Sequence, residues 1–315
     1  MKKVVYVTGC LGFIGSYVTR ACLKEGWFVR GIDKETYAAN KSLLKEFLTY
    51  PNFAYENKDI NDLEFLYDCD YIINTAAETH VDNSISNNDI FIKSNICGVH
   101  RLLELIRINK KEKTPILLHF STDEVYGDIE FGSHTESCLL KPSNPYSASK
   151  AAADQLILAW NRTYAVPYVI VRPTNNYGLG QYTEKLIPKS IKYLQLGRKI
   201  PLHNQGTPTR MWLHVTDTAN AVITIVKSGI TNQIFNISGN KELKNIDVVK
   251  TIISSFFGVD CPSEDYLDLS YSRIGQDYRY SINDDKLKSL GWSPKADFFH
   301  EVNEIVLQSK ENFKW

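Results

Sequence analysis

Apolar and polar positions in the first half of the chain alternate between two rhythms. Short runs rich in β-branched and aromatic residues, at Val4–Thr8, Phe28–Asp33, 71–75, 116–121 and 168–172, read as buried strands. Between them lie longer stretches with helical spacing, at 13–25, 90–109 and Pro145–Tyr164. In 90–109 the predicted apolar stripe is Ile92, Ile96, Val99, Leu103 and Ile106. Strand, helix and strand in repetition imply an α/β fold with a Rossmann-like, doubly wound parallel sheet.

The rhythm changes after Arg172. Pro, Gly, Asn and Tyr become frequent up to Gly206, with one helical stretch at 184–196. The pattern predicts a smaller C-terminal α/β lobe that binds substrate, made of 173–211 and 239–315. The larger domain is then 1–172, with return strands at 212–215 and Gln233–Ile237. No internal repeat or low-complexity segment breaks the chain.

Composition narrows the function classes. Of 315 residues, 36 are Lys or Arg and 36 Asp or Glu, so the net charge is zero and no nucleic-acid partner is expected. Cys10, Cys22, Cys69, Cys97, Cys138 and Cys261 are scattered without a Cys-x-x-Cys pair or a His cluster, which predicts reduced thiols and no metal. The apolar run at the N-terminus is too short for a secretory signal, and no stretch approaches the roughly 18 residues of a membrane span. A cytoplasmic protein without a membrane partner is expected.

Two turns carry chemistry. Gly9, Gly12 and Gly15 lie between the first strand and the first helix, where glycines permit a tight turn and close approach of a pyrophosphate to the helix N-terminus. Asp33 ends the next strand, suited to accept from ribose hydroxyls and to repel a 2′-phosphate, which favours NAD over NADP. Asp59 and Ile60 are expected to end a third strand and to meet the adenine. Farther on, Asn144 and Pro145 read as the cap and first position of a helix. Tyr146 and Lys150 then share one helical face, and a nearby ammonium favours the phenolate of a phenol whose ordinary pKa is about 10. Thr122, Asp123 and Glu124 follow a strand at the carboxyl edge of the sheet. Paired carboxylates there repel each other and lose solvation, raising one pKa and suiting one acid and one base.

Together these features resemble the extended short-chain dehydrogenase/reductases, and within them the nucleotide-sugar 4,6-dehydratases. The likeness runs through Asp33 with Thr36-Tyr37-Ala38, then Ala76-Ala77-Glu78-Thr79-His80-Val81-Asp82, residues 121–127, and Pro145 to Lys150. It continues in Asn175-Asn176-Tyr177-Gly178, Glu184-Lys185-Leu186-Ile187-Pro188, Arg210, 212–215, Lys244-Asn245-Ile246 and Arg273. The resemblance implies tightly held, recycled NAD, with Gly9, Gly12, Phe13, Ile14, Gly15, Asp33, Thr36, Asp59, Ile60, Ala76, Ala77, Thr79, Asn95, Tyr146 and Lys150 as cofactor contacts. Substrate contacts would be His80, Thr122, Asn175, Asn176, Glu184, Lys185, Leu186, His203, Arg210, Asn245 and Arg273, the two arginines gripping a diphosphate. Tyr146, assisted by Thr122 and Lys150, would deprotonate the 4-hydroxyl of a glucose while NAD takes the hydride from carbon 4. Glu124 would take the carbon 5 proton, and Asp123 would protonate the departing 6-hydroxyl. A homodimer joined near 90–109 and 145–164 is also implied.

Several positions depart from the family pattern. Cys10-Leu11 replaces Gly-Ala, Met211 replaces an acid, and 272–277 is a loose version of Asp-Arg-Pro-Gly-His-Asp. His203 falls where dTDP-specific members carry Tyr, so dTDP-glucose and UDP-glucose both remain as substrates. A 4-epimerase or decarboxylase of the same superfamily is the alternative within the fold, and a non-catalytic NAD-binding sensor is the alternative outside enzymology.

Overall fold

In this computed structural model, residues 2–108, 114–272 and 277–311 are described. The first half runs β1 (Val4–Thr8), α1 (Phe13–Lys24), β2 (Phe28–Asp33), α2 (Ser42–Phe47), β3 (Phe53–Asn57) and β4 (Tyr71–Asn74). It continues through α3 (Val81–Ser86), α4 (Asp89–Phe91), α5 (Gly98–Ile108), β5 (Ile116–Phe120), α6 (Pro145–Tyr164) and β6 (Tyr168–Pro173). The second half begins with β7 (Asn175–Tyr177), α7 (Leu186–Gln195), β8 (Ile200–Pro201), β9 (Thr209–His214), α8 (Val215–Ser228) and β10 (Gln233–Ile237). It closes with β11 (Lys241–Lys244), α9 (Asn245–Phe257), β12 (Leu267–Asp268), α10 (Asp285–Lys288) and α11 (Phe298–Ser309).

Seven parallel strands form one sheet in the order β10-β6-β5-β4-β1-β2-β3. This is the Rossmann-like doubly wound architecture, and chain order reverses between β1 and β4. Loops leaving the carboxyl ends of those two strands diverge, opening the crevice where such sheets bind ligands. Apolar side chains cover both faces. Val5, Val7, Val29 and Ile73 join Val18, Cys22, Val222 and Val226 on one side. Tyr6, Ile32, Ile72 and Ile170 meet Val99, Leu102, Leu103, Ala153 and Ile157 on the other. A third apolar cluster unites α7, α9 and α11 through Ile191, Val249, Ile252, Ile253, Val302 and Val306.

The chain differs from its sequence pattern in three places that bear on the site. Of the predicted strand at 212–215, Trp212 to His214 belong to β9, which pairs with β7 and β11 in a separate three-stranded sheet, and Val215 opens α8; of the two predicted return strands, only Gln233–Ile237 joins the main sheet. Strand β3 stops at Asn57, and Asp59 instead caps a 3-10 turn, Ile60–Asp62, by accepting from the Asn61 amide. The helix expected at 90–109 contains a π-helical stretch, Ile92–Cys97. Its wider turn takes up one extra residue and rotates the apolar stripe, so Ile92 is exposed while Phe91 and Val99 are buried. Among the described residues, no helix is long and apolar enough to cross a membrane.

Candidate active site

The glycine turn is shaped by close backbone contact. A Cβ on Gly15 would come within 2.0 Å of the Gly9 carbonyl oxygen, and one on Gly9 within 2.9 Å of the Ala76 backbone. Gly9 also has φ of +70°, which side chains resist. The turn therefore packs directly onto the loop after β4 at the head of α1. Cys10 lies over Gly31, where a Cβ would meet its sulfur at 2.7 Å, so this departure fills a space that Gly31 leaves. Asp33 stands at the end of β2, one carboxylate oxygen accepting from the Leu11 amide at 3.0 Å and the other from Glu35 at 2.8 Å.

One cavity is lined by Gly9, Gly12, Asp33, Thr36, Asp59, Ile60, Ala76 and Ala77. A second adjoins it and brings Phe13, Ile14, Gly15, Thr79, Thr122, Asp123, Glu124, Tyr146 and Asn175 together. The residues fit a dinucleotide: a cradle free of side chains, a helix N-terminus and an acidic strand end follow one another. Asn95 lies elsewhere. Its amide is spent on the Glu78 backbone, accepting at 2.9 Å and donating at 3.0 Å, and on Ser149, so it supports the 76–79 loop from beneath. The π-helical stretch supplies that Asn95.

Helix α6 delivers Tyr146 and Lys150. Asn144 and Ser147 form a reciprocal capping box and Pro145 occupies the first turn, so the helix begins at a defined residue. Tyr146 and Lys150 are both buried, Tyr146 lining the cavity and Lys150 behind it. The expected lowering of the phenol is overturned. Burial and the nearby Glu124 and Asp123 charges push the Tyr146 pKa up, and a hydrogen bond with Thr122 pulls only partly against them. Desolvation lowers Lys150 to about 8.

After β5, a 3-10 turn, Asp123–Tyr126, is capped by Thr122, whose hydroxyl accepts from the Glu124 amide at 3.4 Å. Burial, then the adjacent Glu124, pushes Asp123 up to about 7, while Thr122 donates to its Oδ1 at 3.2 Å. Glu124 is raised by burial against the pull of Arg210 and Lys185, and Asn144 donates to it at 3.4 Å. Behind the turn, Asp154 accepts from Ser121 at 3.0 Å and from Arg172 at 2.9 and 3.0 Å. That buried pair anchors the base of the turn to α6 and β6.

A third cavity extends from Glu124 into the C-terminal lobe. His80, Asn175, Asn176, Glu184, Lys185, Leu186, His203, Arg210 and Asn245 all line it. Lys185 donates to the Thr79 carbonyl at 2.9 Å, and Glu184 accepts from the Tyr37 hydroxyl at 3.0 Å, so the 184–185 segment spans the cleft. His80 accepts from the Asn83 amide and lies 3.9 Å from Asp82, which is also 4.0 Å from His203. Arg210 donates to the Thr209, Asp277 and Tyr278 carbonyls and lies 4.3 Å over the Tyr280 ring. Backbone carbonyls thus orient the arginine that Met211 leaves without an adjacent acid. Arg273 lies outside the described residues.

Sequence reasoning missed Asn144, Gln181, Asp277 and Tyr280 as cavity residues. Ser143 and Tyr280 both donate to one Asp277 oxygen, drawing the segment after 276 against the start of α6. It also missed Asn74 and His119, polar residues closing the apolar runs Tyr71-Ile72-Ile73 and Ile116-Leu117-Leu118. A polar residue ending a buried strand was the available signal.

Comparison with known proteins agrees with this geometry. The family described as GDP-mannose 4,6 dehydratase matches residues 6–305. A dTDP-glucose 4,6-dehydratase of Haemophilus influenzae is 38% identical, covering 96% of each chain. A trifunctional UDP-glucose 4,6-dehydratase of Arabidopsis thaliana is 36% identical over 99% of this chain and 48% of its own length. The crystal structure of a dTDP-glucose 4,6-dehydratase from Streptomyces venezuelae with NAD bound superposes with a TM-score of 0.91 at 34% identity, covering 98% and 97% of the two chains. The chain belongs to the nucleotide-sugar 4,6-dehydratase family.

Proposed function

We propose that the protein dehydrates a nucleoside-diphosphate glucose, carried by dTDP or UDP, to its 4-keto-6-deoxy product with no net redox change. The observation that carries this is buried Asp123 beside half-buried Glu124, both facing the same cavity as Tyr146. Oxidation at carbon 4 needs one base. Loss of water across carbons 5 and 6 needs a second base and an acid.

The glycine turn, Asp33, Thr36 and the 76–79 loop would hold NAD, which would supply the two-electron acceptor and donor for carbons 4 and 6. Tyr146, steadied by Thr122 and with Lys150 one helical turn along α6 as the nearby cation, takes the 4-hydroxyl proton as its phenolate, against the burial and the Glu124 charge that favour the phenol. The resulting 4-ketone acidifies carbon 5, and Glu124 removes that proton. Asp123, raised to about 7, keeps its proton near neutrality and gives it to the 6-oxygen as the carbon–oxygen bond breaks. Glu124 then returns its proton to carbon 5. The proton left on Tyr146 balances the one lost from Asp123. Lys185 and Arg210, with Asn176 and Asn245, suit the diphosphate and sugar, and the cavity around Asp82 and His203 suits the nucleobase.

We also infer a homodimer through α5 and α6. Exposed Ile108 and Tyr164 on these elements, and Ile92 on the π-helical stretch before α5, support it, and a monomeric sedimentation coefficient would exclude it.

The deciding experiment offers dTDP-glucose, UDP-glucose and GDP-mannose in parallel, each deuterated at carbon 4. Deuterium recovered at carbon 6 of a 4-keto-6-deoxy product establishes the reaction and the nucleotide together. Deuterium released to free NADH, a 4-epimer as sole product, or no turnover of any donor rejects the proposal.

A further inference from the structure

Behind the catalytic tyrosine, four buried polar side chains form a continuous line across three strands and a helix. Thr8 ends β1, Asn74 ends β4, His119 lies in β5 and Lys150 in α6, and none is more than 2% exposed. Thr8 Oγ1 lies 2.6 Å from Asn74 Oδ1, Asn74 Nδ2 lies 3.0 Å from His119 Nδ1, and His119 Nε2 lies 3.3 Å from Lys150 Nζ. Both imidazole nitrogens therefore have assigned neighbours.

The line has a direction, because it begins at a group that can only donate. The Ala76 main-chain amide reaches Thr8 Oγ1 at 3.4 Å. The hydroxyl hydrogen is then left for the Asn74 carbonyl oxygen, which turns the Asn74 amide hydrogens toward His119 Nδ1. Burial and the Lys150 charge hold His119 well below its ordinary pKa, so the ring is neutral. A neutral imidazole that accepts at Nδ1 carries its hydrogen on Nε2. That hydrogen points at Lys150, whose ammonium form has no lone pair to receive it.

We propose that His119 is a positioning residue acting through Lys150: as the Nε2–H tautomer, fixed from the Ala76 amide, it turns a donor toward Nζ and makes Lys150 a titrating group rather than a permanent cation. The surrounding charges act in both directions. Burial draws Lys150 down, whereas Asp154 on its own helix favours the ammonium. Arg172 of β6 binds that Asp154 and limits its pull. Asp123 and Glu124 of the 3-10 turn act on Tyr146 one helical turn away. From α5, Glu104 pairs with Arg107 and Trp160, toward the far end of α6. The consequence, resting on the function proposed above, is that charge support for the Tyr146 phenolate is withdrawn as pH rises.

The test reads the tautomer directly and does not depend on dehydratase activity. Long-range 1H–15N spectra are recorded on the enzyme as isolated with its cofactor, labelled at the histidine ring nitrogens, with His119 assigned from the His119→Gln variant or from selective shifts in Thr8→Val. A proton on Nε2 of a neutral ring across the neutral and alkaline range is expected. A proton on Nδ1, or a charged ring, overturns the proposal. Asn74→Asp supplies a carboxylate that accepts from Nδ1 and reverses the line. It should move the proton to Nδ1 and raise the midpoint of the Lys150 Nζ titration, followed by the 15N shift of labelled lysine, by about one pH unit. A reversed tautomer with an unmoved Lys150 midpoint overturns the link. Should Asn74→Asp fail to fold, Thr8→Val takes its place: loss of the anchor should populate both tautomers and move the midpoint in the same direction by less, and an unmoved midpoint with mixed tautomers rejects the link equally. If the enzyme proves to act on none of the sugar donors, the wild-type tautomer still decides the hydrogen-bond assignment by itself.

Discussion

The two walls of the cleft are made of different materials. On the cofactor side the surface is mostly backbone: Gly9, Gly12 and Gly15 leave main chain bare at the head of α1, and Asp33 braces that turn through amide hydrogens. Across from it, the substrate side is mostly side chain. Lys185, Glu184, His203, Arg210, Asp277 and Tyr280 arrive from separate segments and hold one another or distant carbonyls. A wall of backbone tolerates little change in shape, because its atoms cannot move without moving a strand or helix. A wall of side chains can exchange members and still close, which suits a family whose members differ in the nucleotide they take. Tyr146, Asp123 and Glu124 stand where the walls meet.

Substitutions at the seam and on each wall should separate these roles. The largest loss is expected at the seam: Tyr146→Phe should lower kcat by about 10³–10⁴-fold, with the melting temperature and retained NAD unchanged. A near-normal kcat would remove Tyr146 from the chemistry. On the backbone wall, Gly15→Ala drives a methyl into the Gly9 carbonyl and should cost about 3 kcal/mol of stability and abolish NAD retention. A variant that melts normally and copurifies with NAD would show that this wall yields after all.

Asp123→Asn should lower kcat about 100-fold while stabilising the fold. The carboxyl is raised from 3.8 to about 7, so the folded state binds the proton more tightly than the unfolded chain does. Stability therefore falls as pH rises between those values, by a total of roughly 4 kcal/mol at most. Thermal scans across that window should show wild type losing ground to the variant, and parallel curves would mean that Asp123 ionises normally. The same proton predicts that kcat falls as pH rises through about 7, where Asp123 ceases to be an acid.

On the side-chain wall, Arg210→Lys should raise KM about tenfold with kcat nearly constant, since a lysine keeps the charge but loses the fork. A loss confined to kcat would place Arg210 in the chemistry instead. The smallest effect is expected away from both walls. Lys250→Ala breaks an exposed pair with Glu264 and should change stability by less than about 0.5 kcal/mol.

The same difference in materials governs what could be read from the chain. Glycine spacing, a strand-end acid and a capped helix are local, so the cofactor turn, the sheet and the Tyr146–Lys150 helix were legible from neighbouring residues. The pairing of Asp123 with Glu124 was legible for the same reason. Asp277 and Tyr280 reach Ser143 and Arg210 across more than 60 positions, and no local pattern announces such contacts. Strand β9 was misassigned because an apolar run shows that a strand is buried, not which sheet buries it. The phenol was misjudged because spacing revealed Lys150 on the same face but not the burial and carboxylates that outweigh it.

The π-helical stretch can also be viewed as a matter of chain length. A helix containing Ile92–Cys97 spends one residue more than the distance it spans requires, and that surplus turns Asn95 inward beneath the 76–79 loop. Shortening this stretch by one residue would leave a sound helix with ordinary hydrogen bonds. It would also rotate everything on one side of the cut by about 100°, taking Asn95 off Glu78 and Ser149. The floor of the cofactor cavity thus depends on a count of residues as much as on their identities, so a deletion here would be far more damaging than any conservative exchange.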